Sequence, residues 1–229
     1  MNKKISVIMS AYNASQTLNK SIESILNQTY TNFEFLIVDD NSNDETFNII
    51  ENYKSKDSRI KFFKNSTNIG LTKSLNFLID NSDGEIIARQ DADDISLDYR
   101  FEKQIIYLNE YKVVTSRAFS IQSGKKIPGI SFYLPTNISM KFKNPYIHGT
   151  LMIDKMFLLE IGKYDENYRF AQDYKLFLDI RKKGYKIKSL KDTLYLLNTV
   201  DNISTNQKIE QKKYFDFAKN GNKLNKFIS

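Results

Sequence analysis

Three aspartates lie within residues 90–94, a Gln-Asp-Ala-Asp-Asp run that directly follows the largely apolar residues 85–89. A short apolar run predicts a buried strand, and ligands of open α/β sheets bind beyond the carboxyl ends of the strands. Asp91 and Asp93 are two residues apart, so both side chains point to the same side of an extended backbone. Mg²⁺ is usually held by one or two carboxylates together with phosphate oxygens. The spacing therefore indicates a site for a divalent cation and a diphosphate, with a solvated acidic turn as the alternative.

Cysteine and histidine content narrows the kinds of site that this chain can build. The 229 residues include no cysteine and a single histidine, His148. A disulfide scaffold, a thiolate metal site and a cysteine nucleophile are therefore excluded, and so is a zinc site made of several histidines. Any metal ion must be bound mainly by oxygen.

The net charge of +7 favours anionic partners such as nucleotides, nucleic acid or a membrane surface. Because the lysines are spread along the chain and no zinc finger or RNA-binding signature occurs, we predict no nucleic-acid partner. No run of about 18 apolar residues that could span a membrane is present. The apolar stretch near the N-terminus is too short for a signal peptide, so we expect a cytoplasmic protein.

The first half of the sequence alternates strand and helix patterns, which predicts a doubly wound, mostly parallel α/β sheet. Polar clusters at residues 10–13, 39–42 and 91–94 each follow a strand, so we expect them to meet at one edge of that sheet. Ser15 is the predicted N-cap of the first helix. The predicted strands are residues 5–9, 33–38, 60–64 and 85–89, and the predicted helices are residues 16–28, 45–54 and 72–81.

The second half is less regular and predicts a smaller part with mixed or antiparallel strands. We find no internal repeat and no low-complexity linker, so we predict one domain over residues 1–205 and a basic tail or helix over residues 206–229. The predicted helices are residues 97–111, 155–161 and 172–183, and the predicted strands are residues 113–122, 126–134 and 146–154.

Five segments in a fixed order resemble the family-two inverting glycosyltransferases. They are ISVIMSAYN at residues 5–13, SILNQTY at 24–30, IVDDNSNDET at 37–46, NIGL at 68–71 and DADD at 91–94. The resemblance covers roughly residues 5–200. It implies the nucleotide-sugar-binding fold called GT-A, with residues 1–115 as the donor half and residues 116–205 as the acceptor half. It also implies a nucleoside-diphosphate sugar donor, here a UDP-sugar, and a glycan or lipid-linked acceptor in surface polysaccharide or glycolipid synthesis.

The resemblance assigns the donor-binding side chains. Tyr12 would pack on the nucleobase, Asp40 would accept from the N3–H of uracil while Asp39 holds its loop, and Lys73 would contact ribose or phosphate. Each has a plainer alternative: a half-buried core tyrosine, carboxylates that cap the next helix, and a solvated lysine. The other donor-side residues of this prediction are Ser10, Ala11, Asn13, Asp91, Ala92 and Asp93.

The resemblance also implies that Asp91 would hydrogen-bond the ribose, and that Asp93 would ligate Mn²⁺ or Mg²⁺ bridging the diphosphate. Asp94 would take part or cap the next segment. Many family members use a later histidine as a further metal ligand, whereas this chain has none after His148. The resemblance therefore implies a metal held by Asp93, the diphosphate and water.

An inverting transfer needs a base to deprotonate the acceptor hydroxyl. The family supplies it from a Glu-Asp-type pair at the start of a late helix, and the matching residues here are Gln172 and Asp173. Asp173 is thus the implied base, and the alternative is a carboxylate that only stabilises the start of its own helix. His148 and Gly149 match an acceptor-side segment, with a structural histidine as the alternative.

The tail combines lysines with apolar residues, so a basic amphipathic helix could lie on an anionic membrane at the inner face. The alternative is a helix that docks its apolar side on the domain. A different class of function is a nucleotide-sugar-binding protein without transferase activity. A dinucleotide-binding oxidoreductase and a P-loop enzyme are disfavoured, because neither glycine-rich motif occurs in the chain, and a nucleotidyltransferase is disfavoured because no glycine-rich loop lies near the N-terminus.

Overall fold

In a computed structural model, which describes residues 3–200 and 207–220, strands and helices alternate along the chain. The strands are β1 Ile5–Ala11, β2 Phe33–Asp39, β3 Ile60–Lys64, β4 Ile86–Arg89, β5 Ile95–Ser96, β6 Val113–Ser120, β7 Lys126–Ile127, β8 Met152–Asp154 and β9 Ile187–Leu197. The helices are α1 Leu18–Leu26, α2 Thr46–Lys56, α3 Leu71–Asp80, α4 Arg100–Ile105, α5 Thr136–Ser139, α6 Lys155–Glu160, α7 Gln172–Lys182 and α8 Lys208–Asn220.

Within the described residues, all nine strands belong to one sheet, in the order β3-β2-β1-β4-β8-β6-β9-β5, with β7 paired to β6. Strands β1 to β4 are parallel, and Ile8 lies in register with Leu36 on one side and Arg89 on the other. Strand β8 runs antiparallel between β4 and β6. The predicted mostly parallel sheet with a mixed C-terminal part is therefore confirmed.

The central strands are buried on both faces, which is why their sequences are continuous apolar runs. In β1, Ile5, Val7 and Met9 belong to one hydrophobic cluster, and Ile8 belongs to the cluster on the other face. Because successive side chains of a strand point to opposite faces, a short strand contributes to both layers of the core. This rigid centre fixes where β1, β2 and β4 end.

Several sequence-based boundaries in the second half were wrong. The predicted strand 126–134 is only β7, followed by a 3₁₀ turn at Ile130–Tyr133. The predicted strand 146–154 is only β8, preceded by a 3₁₀ turn at His148–Thr150. Helix 97–111 divides into α4 and a 3₁₀ turn at Ile106–Asn109.

Two further expectations differ from the structure. Strand β9 was not predicted, although it pairs with both β6 and β5. Ser15 does not cap α1: the N-cap is Thr17, and the Ser15 amide instead donates to the Asp44 carboxylate at 3.0 Å. That bond joins the start of α1 to the loop after β2. A contact between two loops therefore takes the place of the local cap that the sequence predicted.

The described part of the tail, residues 207–220, packs on the domain, which was one of the two alternatives for this segment. Ala218 of α8 is buried, and Tyr214, Phe215 and Phe217 pack against the core. The Phe215 ring stacks on Tyr174 of α7, with 4.1 Å between the ring centroids. The apolar side of α8 is thereby occupied by the domain itself.

The tail residues 206 and 221–229, with Lys223, Leu224, Lys226, Phe227 and Ile228, lie outside the described residues. Within the described ranges, no helix has the length and apolar character needed to cross a membrane.

A buried glutamate ties together the starts of three strands. Glu34 accepts from Ser6 at 2.5 Å and from the Asp83 amide at 2.6 Å, and it pairs with Lys61 at 2.8 Å and Lys4 at 3.2 Å. Burial alone would raise the pKa of Glu34, but these hydrogen bonds outweigh it and lower the pKa to about 2. The ionised carboxylate therefore stabilises the fold.

We expect Glu34→Gln to lower the free energy of unfolding at neutral pH by about 2 kcal/mol, after allowance for the partly exposed lysines. Because the folded pKa lies below the unfolded value of 4.5, this contribution is complete above that pH and disappears as the pH falls to about 2. Urea unfolding of both proteins at neutral pH and at about pH 3 checks this. A difference that does not narrow at the lower pH would contradict the assignment.

Candidate active site

The loops after β1 and β2 are bonded to each other at the carboxyl edge of the sheet. The Asn13 amide donates to Ser42 Oγ, and the Asn43 amide donates to Asn13 Oδ1, each at 2.9 Å. Asn13 and Asn41 both have left-handed backbones, with φ of 49° and 64°, a conformation that asparagine tolerates better than most residues. Tyr12 is 49% exposed beside this junction. An aromatic face is thus presented at the edge where the sequence predicted one.

The acidic loop after β4 lies next to these two loops and is held by α1. Thr17 Oγ1 donates to the Ala92 carbonyl at 3.0 Å, and Ser21 Oγ donates to the Asp91 carbonyl at 2.8 Å. The three predicted polar clusters therefore converge on one edge. Ala92 contributes through its backbone.

Asp39 and Asp40 have different environments. Asp40 is buried and accepts from Asn65 Nδ2 at 2.7 Å and from the Ile69 and Gly70 amides, each at 2.9 Å. Those amides lie at the start of α3, so Asp40 holds the 65–70 loop against that helix. Asp39 Oδ1 accepts from the Ser42 amide at 3.0 Å, while its buried Oδ2 has no partner among the described residues. Both oxygens of Asp40 thus accept hydrogen bonds within the protein, and the expected contact between Asp40 and a base stays a prediction.

The carboxylates of the acidic loop are crowded. Asp91 Oδ1 lies 2.5 Å from the buried Arg89 guanidinium. Burial, and then repulsion by Asp91, raise the pKa of Asp93 to about 6. Burial, and then Asp91 and Asp93, raise the pKa of Asp94 well above its usual value, although Asp94 accepts from the Asn198 amide at 2.7 Å. Arg89 thus offsets only part of the negative charge in this loop.

The carboxylate oxygens of this loop fit a hard divalent cation, because such cations prefer oxygen ligands. The charge of the cation would also relieve the repulsion between the carboxylates. Within the part of the chain that the structure describes, no cluster of three or more His, Cys, Asp or Glu side chains is arranged to hold a metal ion. A cation would therefore have to complete its coordination from outside the protein. Asp93 is the available ligand, because Asp91 already pairs with Arg89.

Two buried residues that the sequence-based analysis missed support the acidic loop. Arg100 of α4 is fully buried and donates to Ser96 Oγ at 2.7 Å and to the Arg89 carbonyl at 2.8 Å. Burial lowers the pKa of Arg100 to about 10, so it stays charged at neutral pH. Tyr195 Oη of β9 accepts from the Asp91 amide at 3.1 Å. No local sequence signal links Tyr195 to a loop more than a hundred residues earlier.

Gly149, which the resemblance placed on the acceptor side, packs closely against Tyr195. A Cβ atom at this position would lie 2.6 Å from Cζ of the fully buried Tyr195. Tyr195 cannot move away from residue 149 without breaking its hydrogen bond with the Asp91 amide. The absence of a side chain at residue 149 therefore positions the acidic loop.

We expect Gly149→Ala to lower the free energy of unfolding by about 1–3 kcal/mol, the usual cost of overpacking. The matched control is Gly129→Ala, where a new Cβ has only ordinary contacts, the nearest at 3.8 Å. Chemical denaturation of both variants is the measurement. Equal stability of the two variants would contradict the packing role.

Asp173 is the second residue of α7, and Asn144 Nδ2 donates to its Oδ2 at 2.7 Å. Its other carboxylate oxygen has no hydrogen bond within the described part of the chain. Gln172, beside it, is buried. Ala171 precedes the helix with a left-handed backbone, φ 51°, which turns the chain into α7. A carboxylate is thereby held in one orientation with one oxygen unused.

His148 begins the 3₁₀ turn that precedes β8. Its Nε2 is 2.7 Å from the buried Tyr164 hydroxyl. Burial, and then the Arg89 charge, lower the pKa of His148, while Asp173 and Asp91 act in the opposite direction. Both carboxylates are therefore within electrostatic range of one ring. Asp173 and the acidic loop therefore both act electrostatically on the His148 ring.

Lys73 is the predicted site residue with the weakest structural link to the others. It lies exposed in the first turn of α3 and makes no ion pair within the described ranges. Ser10 and Ala11 belong to the last residues of β1, where the Ala11 carbonyl accepts from the Asp40 amide at 2.8 Å. These two residues therefore provide a fixed backbone at the edge of the site.

The curled, mostly parallel sheet and its loop-built edge define a GT-A-type glycosyltransferase fold. Mannosyltransferase PcManGT from Pyrobaculum calidifontis, solved in complex with GDP-Man and Mn²⁺, has this fold with a TM-score of 0.75 at 17% identity. The match covers 93% of this chain and 61% of the PcManGT chain, so this chain spans less than two thirds of that protein. At this identity the likeness concerns the fold alone.

The family model of glycosyl transferase family 2 matches residues 6–166, and the chain belongs to that family. EpsE of Bacillus subtilis is 36% identical over 203 residues, covering 84% of this chain and 72% of EpsE. The Escherichia coli UDP-Glc:alpha-D-GlcNAc-diphosphoundecaprenol beta-1,3-glucosyltransferase WfaP is 34% identical over 197 residues, covering 83% of this chain and 76% of WfaP. The family resemblance found in the sequence is thereby confirmed.

Proposed function

We propose that this protein is an inverting glycosyltransferase that moves a sugar from a nucleoside-diphosphate sugar, here a UDP-sugar, to an acceptor hydroxyl. The observation that carries the proposal is the convergence of the three strand-end loops at one edge of the sheet. Asp173 supports it, because its carboxylate acts on the His148 ring together with Asp91. Residues 1–115 bind the donor, and residues 116–205 bind the acceptor. A cytoplasmic location is part of the same proposal.

The donor lies along the loops after β1, β2 and β4. Tyr12 stacks on the base, because its exposed ring offers a flat apolar face. The base N3–H donates to Asp39 rather than Asp40 in this proposal, since Asp39 Oδ2 has no partner among the described residues. Because this oxygen is buried, the loop at residues 39–42 must shift for the base to reach it. Asp91, already oriented by Arg89, accepts from the ribose, and Lys73 reaches ribose or phosphate.

When bound, Mn²⁺ or Mg²⁺ supplies positive charge that stabilises the departing diphosphate. Asp93 is the protein ligand in this proposal, because its carboxylate is crowded by like charge and makes no ion pair among the described residues. The remaining ligands come from the diphosphate and water.

A carboxylate must be deprotonated to bind a metal ion. Because the pKa of Asp93 is raised to about 6, we expect the Mn²⁺ concentration for half-maximal activity to stay constant above that pH. Below it, the concentration should rise by about tenfold per pH unit. Metal titrations of donor turnover between mildly acidic and neutral pH test this. A flat profile across that range would remove Asp93 from the metal site.

Asp173 is the base. Its unused oxygen takes the proton of the acceptor hydroxyl, and the resulting oxygen nucleophile attacks the anomeric carbon as the bond to the diphosphate breaks. Asn144 holds the carboxylate in place, and Gln172 and His148 line the acceptor side. Attack from the face opposite the leaving group inverts the anomeric configuration.

The acceptor is a glycan or a lipid-linked sugar, by analogy with WfaP, whose name gives a diphosphoundecaprenol-linked acceptor. The product belongs to a surface polysaccharide or glycolipid.

A donor screen tests the proposal. Nucleotide release from UDP-, GDP- and dTDP-sugars is measured with and without Mn²⁺ for the wild type and Asp93→Ala. We expect slow hydrolysis of one donor that requires both Mn²⁺ and Asp93. Donor binding without any turnover, even with acceptor candidates added, would instead indicate a nucleotide-sugar-binding protein.

A further inference from the structure

The segment from β7 to residue 142, three residues past the end of α5, exposes large apolar side chains on the surface. Ile130 is 87% exposed, Phe142 78% and Tyr133 68%. Leu134 and Ile138 are also exposed. We call these five residues the apolar ridge. An exposed group of this size is unusual on a protein surface and marks a site of interaction.

The ridge is built on two short turns that are fastened together. Ile130 and Tyr133 are three residues apart in a 3₁₀ turn, so their side chains lie on the same side. Ile138 and Phe142 are four residues apart along the α5 turn and its continuation, which also places them side by side. Ser139 Oγ donates to the Ser131 carbonyl at 3.3 Å and joins the two turns.

Arg117 of β6 holds the first turn from below. Its guanidinium donates to the Pro128 carbonyl at 2.9 Å and lies 5.0 Å from the Phe132 ring centroid. The ridge is therefore anchored to the central sheet. Its apolar side chains are presented outward by a supported backbone.

The charges in the sequence segment that carries the ridge all have one sign. Between Glu110 and Asp154 the sequence contains no aspartate or glutamate, so this segment accounts for six of the seven net positive charges of the chain. Lys141 and Lys143 flank Phe142, are exposed and make no ion pair within the described residues. The six cations are Lys112, Arg117, Lys125, Lys126, Lys141 and Lys143.

We propose that the apolar ridge inserts into an anionic lipid bilayer while the flanking lysines contact its head groups. Apolar side chains surrounded by cations are the arrangement by which proteins bind the interface of anionic membranes. A protein partner with an apolar patch would not require a segment free of acidic residues. The apolar side of α8, the other candidate, is already packed on the domain.

The ridge lies close in sequence to a residue that contacts the proposed base. Phe142 lies two residues before Asn144, which holds the Asp173 carboxylate. Docking through the ridge would bring the acceptor half to the lipid surface. The inference goes beyond the transferase proposal and does not depend on it, because vesicle binding requires neither donor nor turnover.

Vesicle co-sedimentation of the full chain tests the inference. Vesicles of phosphatidylcholine alone are compared with vesicles that also contain phosphatidylglycerol. The double variant Ile130→Ser/Phe142→Ser removes the two most exposed ridge residues. The matched control, Ile106→Ser/Met156→Ser, removes two exposed apolar side chains, 63% and 73% exposed, outside the ridge. Circular dichroism and thermal midpoints verify that both variants fold.

We expect the wild type and the control to bind the anionic vesicles and the ridge variant to bind at least about tenfold more weakly. Lys141→Gln/Lys143→Gln should weaken binding by about fivefold per lysine, and less at high salt. Failure of the wild type to bind anionic vesicles overturns the inference. So does unchanged binding by the ridge variant together with loss in Lys212→Gln/Lys213→Gln, which would assign the contact to α8. A ridge-dependent dimer without vesicle binding would assign the ridge to a second copy of the chain.

Discussion

Asp173→Asn is expected to lower kcat by at least about a hundredfold while leaving the dissociation constant for the donor within about twofold. Asparagine keeps the shape of the side chain and its contact with Asn144 but cannot accept the proton of the acceptor hydroxyl. Steady-state transfer to an acceptor and calorimetric donor binding measure the two effects separately.

Asp179→Asn is the matched control for this prediction. Asp179 lies on the same helix, six residues further along, and its carboxylate pairs with Lys175 away from the acidic loop. We expect its kcat to stay within about twofold of the wild type, since loss of a partly exposed ion pair costs little. Equal losses in both variants would show that α7 has been perturbed. Full activity in Asp173→Asn would exclude Asp173 as the base.

The second large effect separates the neighbouring carboxylates Asp39 and Asp40. We expect Asp40→Asn to lower the free energy of unfolding by about 2–4 kcal/mol, because buried amide donors at the start of α3 lose a charged acceptor. Asp39→Asn should change it by less than about 1 kcal/mol, since asparagine retains the bond to the Ser42 amide.

Donor binding should respond in the opposite order. Asp39→Asn is expected to raise the dissociation constant for a uridine donor by about 10- to 100-fold, the value of one charged hydrogen bond. Urea unfolding and donor titration of the two variants give both quantities. If Asp39→Asn binds as tightly as the wild type and folded Asp40→Asn does not, the base contacts Asp40, as the sequence resemblance implied.

The two aspartates illustrate what the sequence leaves open. Adjacent residues at the end of a strand point to opposite sides, and this much follows from periodicity. Which side faces α3 depends on the order of strands in the sheet, where β3 lies outside β2. The amides that Asp40 accepts from lie some thirty residues later, at Ile69 and Gly70. No local pattern can report such a contact.

Strand β9 was missed for a related reason. Its buried residues Leu190, Leu194 and Tyr195 follow the spacing of a helix rather than the alternation of a strand. The pairing with β6 contains register shifts beside Arg117, which change the phase of the alternation. Because Tyr195 belongs to β9, its contact with the acidic loop was missed as well.

The first half was predictable because its evidence is local. Strands such as β1 and β2 are buried on both faces, so in the sequence they are short apolar runs with polar residues at their ends. The edge where those ends meet follows from parallel pairing alone. The acidic loop could be placed from the sequence, whereas its buried supports, Arg89 and Arg100, are visible only through their contacts.

The most direct test of the central claim is a calorimetric titration of the wild-type chain with a panel of nucleoside-diphosphate sugars, with and without Mn²⁺, at neutral pH. We predict that at least one donor binds with a dissociation constant of roughly 1 μM to 1 mM. Mn²⁺ should tighten that binding in the wild type and have no effect in Asp93→Asn. If no nucleotide sugar binds under either condition, the edge formed by β1, β2 and β4 is not a donor site.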